Sequence, residues 1–119
     1  MIKETMPGLA FNPQLLAGDF DVLTDTVPVS AGNAVEIVGA DPNRILLMLQ
    51  AHDIGLVANI KLPTGATDGF QLIPGQGPVT LHYKRDGAVV GYAWFAYNGD
   101  MFMPSSCYYL TSSYKPRRM

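Results

Sequence analysis

The sequence predicts an all-β protein: a single antiparallel β-sandwich of jelly-roll type, with about eight strands and an extended N-terminal arm. Three observations predict it. From Thr26 onward, short apolar or alternating runs recur between clusters of turn residues. Twelve Gly and nine Pro in 119 residues leave little room for long helices. Apolar residues make up 48% of the chain, and a globule of this size buries roughly two-thirds of its unfolded surface, enough for one core.

Residues 1–25 form the arm. They carry Pro7, Gly8, Pro13 and Gly18 among scattered apolar side chains, and Asn12-Pro13 is a place to start one helical turn. The anchors are Met6, Leu9, Phe11, Leu15, Leu16 and Phe20, which need a surface to lie on. The sandwich domain spans 26–114. Thr26–Ser30 is its first strand, closed by the turn Ala31-Gly32-Asn33. Ala34–Val38 alternates, and Gly39–Asn43 is a turn. Arg44–His52 is almost wholly apolar, as in a strand buried on both faces. A helix capped by Asp41-Pro42 competes for that segment, but Gly55 and the β-rich context cut it short.

Ile54–Leu62 and Phe70–Ile73 are the next strands, separated and followed by Pro/Gly loops. Val79–Lys84 alternates cleanly, with His82 on its polar face, and Arg85-Asp86-Gly87 is a turn. Val89–Tyr97 reads as a long strand, apolar on both faces. Asn98-Gly99-Asp100 turns the chain into the apolar loop Met101–Pro104, and Ser106–Ser112 closes the domain. Residues 115–119 are a basic tail.

Charged residues are scarce, 8 Lys and Arg against 10 Asp and Glu, only 15% of the chain where about 25% is usual. The deficit points to surface that another protein covers. A net charge of −2 argues against nucleic-acid binding. The charge is uneven: residues 1–43 carry −5 and residues 44–119 carry +3. No apolar run approaches the ~20 residues of a membrane span, and no basic-then-apolar leader opens the chain. The single cysteine, Cys107, makes no internal disulfide and sits in an apolar run as a small core residue.

No catalytic residue, metal or cofactor is expected. The only histidines are His52, in a His-Asp pair at a turn, and His82. The acids stand singly in turns, and no HExxH, CxxC or GxSxG is present. Gly75-Gln76-Gly77 lacks the Lys-Ser/Thr ending of a phosphate loop. The aromatic row Tyr92, Trp94, Phe95, Tyr97 suits a core, a subunit interface or a carbohydrate platform. Met101 and Met103 flank Phe102 in a loop fit to insert into a neighbour, so Tyr92, Trp94, Met101, Phe102 and Met103 are the interface candidates. Tyr92, Trp94 and Tyr97 would form the sugar platform.

One further pattern emerges from the order of the motifs. Val35–Ile37 leads through Asp41-Pro42-Asn43-Arg44 into the run Ile45–Gln50. Leu62–Ala66 and Leu72–Gly75 form a strand–loop–strand middle, Asp86–Val90 runs on to Ala93-Trp94-Phe95-Ala96, and Tyr109-Leu110-Thr111 closes. Over residues 27–112 this resembles the small β-sandwich virion proteins of tailed bacteriophages. It departs from them at Ser112-Ser113-Tyr114, where an acidic residue usually follows the last strand. The resemblance implies a non-enzymatic capsid decoration (cement) or head-fibre protein, made in the host cytoplasm and carried on the capsid surface. Its partners would be the major capsid protein or other virion proteins, and itself as a homo-oligomer, a trimer favoured. A receptor- or glycan-binding module of a tail or fibre is the alternative, and a connector or tail component a second.

Overall fold

The computed structural model describes residues 18–116, with side chains for 20–115. Its strands are β1 (Gly18–Val29), β2 (Ala34–Val38), β3 (Arg44–His52), β4 (Leu56–Asn59), β5 (Phe70–Leu72), β6 (Val79–His82), β7 (Trp94–Tyr97) and β8 (Ser105–Pro116). A helical turn α1 (Tyr83–Asp86) and a 3₁₀ turn (Gly87–Gly91) link β6 to β7. The strands form two four-stranded sheets, β1-β8-β3-β6 and β2-β7-β4-β5. Every pairing in both is antiparallel.

Alternation explains how the sheets meet. Val29, Leu47, Leu49, Leu81 and Cys107 point inward from the first sheet, and Ile37, Leu56, Leu72, Trp94 and Ala96 from the second. All ten belong to one buried cluster. Each fully buried Leu or Val contributes about 1.5–3 kcal/mol of transfer free energy. Trp94 is enclosed because its indole N–H donates to the Val89 carbonyl (3.1 Å) and its ring stacks on Phe70 at 5.9 Å. A buried Trp needs that partner.

Expectations change at several elements. β1 starts eight residues before Thr26, so residues 18–25 of the expected arm belong to the sheet. They pair with the far half of β8, where Phe20 meets Tyr114 edge-on at 5.7 Å and Lys115 Nζ bridges Asp21 at 2.9 Å. Lys115 and Pro116 are therefore strand, not tail. β3 is a strand, but its faces differ: Leu47, Leu49 and Ala51 are buried, while Leu46, Met48 and Gln50 are only half-buried. β4 stops at Asn59, whose side chain accepts the Ile60 N–H (2.7 Å) and donates to the Asp68 carbonyl (2.9 Å), turning the chain away.

The largest correction concerns Val89–Tyr97, of which only Trp94–Tyr97 is strand. Upstream of it, side chains take the carbonyls that a neighbouring strand would otherwise bond. The Arg44 guanidinium donates to Val90 O (3.1 Å) and Tyr92 O (3.0 Å), and the Trp94 indole takes Val89 O. Gly91 lies so close to the 39–43 loop that a Cβ there would sit 2.5 Å from the Asp41 carbonyl oxygen. The turn expected at Arg85-Asp86-Gly87 is the end of α1, where Gly87 adopts a positive φ (78°).

Candidate interaction surfaces

The register assigns a face to each side chain of the first sheet. Val27 and Val29 point into the core opposite Cys107 and Ser105, so Val22, Thr24 and Thr26 point outward. Their partners extend the outward rows across the sheet. Thr24 lies beside Leu110, Met48 and Thr80; Val22 beside Ser112, Leu46 and His82; Thr26 beside Tyr108 and Gln50. Phe20 and Tyr114 flank these rows at one end, and Pro28, Ser106 and His52 at the other. None of these side chains is Asp, Glu, Lys or Arg. Asp21 and Asp25 of β1 fall on the opposite face. Val22 remains 60% exposed. This is an apolar and hydroxyl-bearing sheet face without formal charge, flanked by His52 and His82.

A second surface is the loop between β7 and β8. Asn98 is buried and anchors it, its amide donating to Val29 O (3.2 Å) and Met103 O (2.9 Å). The Asn98 Oδ1 accepts the Asp100 N–H (2.9 Å). The Asp100 carboxylate in turn accepts the N–H groups of Phe102 and Met103, both at 2.8 Å. Those two donors hold its carboxyl below the usual carboxylate range. Gly32 N–H ties the neighbouring β1–β2 turn to Asp100 O (2.9 Å). The result is a braced loop with Phe102 at its apex, 90% exposed, between Met101 and Met103. A fixed loop that presents a large apolar side chain has already lost the entropy that docking would otherwise remove.

A third surface is a groove of about 350 Å³ at the other end of the sandwich, lined by Ala40, Pro42, Tyr83, Ala88, Val90 and Tyr92 above Arg44. Arg44 is 5% exposed. Its guanidinium donates to the carbonyls of Gly39 (2.6 Å), Val90 and Tyr92, which fastens the two walls together. Burial lowers its pKa, and the Asp41 carboxylate opposes that shift. Asp41 itself is held below the usual range, first by the Ser113 hydroxyl (2.7 Å) and then by the Asn43 N–H.

The candidate residues are dispersed. Met6, Leu9, Phe11, Leu15 and Leu16 lie outside the described residues, whereas Phe20 sits in β1. Met101, Phe102 and Met103 form the apex of the braced loop, and Tyr92 rims the groove at the far end. Trp94, 2% exposed, is core and offers no surface to a subunit or a sugar. Tyr97 lies in β7 with the opposite parity to Trp94, so Tyr92, Trp94 and Tyr97 do not form a shared platform. His52 is exposed and stacks on Tyr108 (6.3 Å). Burial pushes the Cys107 thiol up to about 11, as suits a core residue. Among the described residues, no three His, Cys, Asp or Glu side chains gather to hold a metal ion.

No protein-family model, curated protein or solved structure matches the chain.

Proposed function

We propose that the chain is a non-enzymatic structural protein of a tailed-phage virion, a capsid decoration (cement) protein that binds the assembled shell. The observation that carries this reading is the uncharged outward face of the β1-β8-β3-β6 sheet. A sheet face is ordinarily covered or charged, and this one has neither charge nor a described covering element. Its partner is the major capsid protein. The apolar side chains of residues 1–17 extend the contact as an arm. The strand order supports a jelly-roll assignment: β1 pairs β8, β2 pairs β7, β3 pairs β6 and β4 pairs β5. That is one long hairpin rolled into two sheets.

The mechanism is mass action. A protein that binds only the assembled shell stabilises each site by about 2.7 kcal/mol at a hundredfold excess over Kd. Repetition over the shell multiplies the effect. The test is co-sedimentation with purified shells of the phage that encodes the chain. The unaltered protein is expected to pellet with the shells and raise their melting temperature. Val22→Lys, which places a charge on the outward face at an exposed position, is expected to fold normally and remain in the supernatant. A chain lacking residues 1–17 keeps all of β1 and is expected to bind at least tenfold more weakly. If the unaltered chain stays in solution, or antibody to it labels tails instead of heads, the cement reading is wrong.

A further inference from the structure

The interface residues Tyr92 and Met101–Met103 lie at opposite ends of the sandwich. The turn between β1 and β2, the start of β8 and the end of β3 meet at one end, since Val29 pairs Ser105 and His52 pairs Ser106. Phe102 projects from that end. The groove lies where β3 begins, at Arg44. Nine strand residues separate the two ends, about 26 Å along β3. No copy can therefore seat its own Phe102 in its own groove.

The two features are complementary. One is a convex, braced, apolar tip with a single aromatic ring 90% exposed. The other is a concave site of about 350 Å³, walled by Ala, Pro and Val and rimmed by half-exposed Tyr83 and Tyr92. That volume admits an aromatic side chain. Charge agrees. The loops at the tip end carry two carboxylates, Asp53 and Asp100, and no Lys or Arg. In the loops around the groove Lys84 and Arg85 balance Asp41 and Asp86, and the buried guanidinium of Arg44 at the start of β3 leaves one positive charge in excess there. Exposed apolar surface opposite a matching hollow on the same molecule is the arrangement that produces head-to-tail contacts.

We infer that the chain assembles head to tail, with Phe102 of one copy seated in the Arg44 groove of the next. Met101 and Met103 pack on Tyr83 and Tyr92 of that neighbour. The contact is heterologous, so it closes into a ring when the rotation per copy allows, a trimer at one third of a turn. This inference rests on the self-associating part of the virion reading and does not require a shell.

Light scattering on size-exclusion peaks tests it, using the full chain and two variants at exposed positions. Phe102→Ser removes the tip, and Ala88→Trp fills the groove. The unaltered chain is expected at a multiple of the 12.9 kDa chain mass, three for the ring. Each variant alone is expected at 12.9 kDa, with a melting transition that shows it is folded. An equimolar mixture is expected to form pairs, because one variant keeps its tip and the other its groove. A monomeric unaltered chain overturns the inference, as does either variant assembling normally. A mixture that stays monomeric while the unaltered chain assembles also overturns it, since it would indicate a symmetric contact. Shell co-sedimentation of Val22→Lys reads the outward face separately. Failure of assembly and failure of shell binding are thus distinguishable.

Discussion

Arg44 organises the groove end through long-range contacts. Its partners Val90 and Tyr92 lie 46 and 48 residues away, and its guanidinium replaces the sheet ladder that 89–92 lacks. Arg44→Met removes a buried cation and leaves three carbonyls without a donor. The expected loss is about 3 kcal/mol, within the range for breaking a buried charged network. Urea unfolding of the variant checks it through the midpoint at constant slope. A loss below about 0.5 kcal/mol, the size of an ordinary surface substitution, would mean that water satisfies those carbonyls. Little of this was legible in the sequence. An Arg at the start of an apolar run reads as a strand boundary, and nothing local identifies the carbonyls it meets. Cys107 was legible, because its apolar neighbours already specify a buried thiol.

At the scale of elements, alternation and turn chemistry carried most of the assignment. β2 and β3 keep their expected limits because their runs end at Gly39 and Asp53, whereas β6 starts as expected after Pro78 but stops at His82, where α1 takes Tyr83 and Lys84. β7 was misjudged because an apolar run does not distinguish a strand from a packed turn when side chains supply the hydrogen bonds. β1 was misjudged because Val22 and Leu23, both about 60% exposed, break the alternation expected of a half-buried strand. Its pairing is set instead by β8. The loop at 98–104 was legible as a turn, but its bracing was not. Asp100 accepts two N–H groups that an alanine would leave unbonded. Asp100→Ala is expected to leave the melting temperature nearly unchanged, speed amide exchange at Phe102 and Met103, and weaken assembly. Asp100→Asn keeps an accepting oxygen and is expected to preserve both. If Ala and Asn behave alike, the carboxylate does not hold the loop.

For the whole molecule, the charge deficit and the outward sheet face are the same fact at two resolutions. The composition indicated covered surface, and the register locates an uncharged face on one sheet. That location would set the physics of the proposed docking. An interface without formal charges gains nothing from Coulomb attraction, so salt has little to screen. Raising the salt from about 0.1 to about 1 M shortens the screening length from about 10 to about 3 Å. Shell co-sedimentation of the unaltered chain is expected to change less than twofold over that range. Sulfate, which strengthens apolar burial, is expected to increase it, and cooling to weaken it. The tip–groove contact sets the acidic tip loops against the one excess positive charge at Arg44 and is expected to loosen modestly with salt over the same range. Light scattering would show this while the pelleted fraction holds steady. If added salt releases the protein from shells, the contact is electrostatic. Docking would then use the charged ends of the molecule and not the outward sheet face.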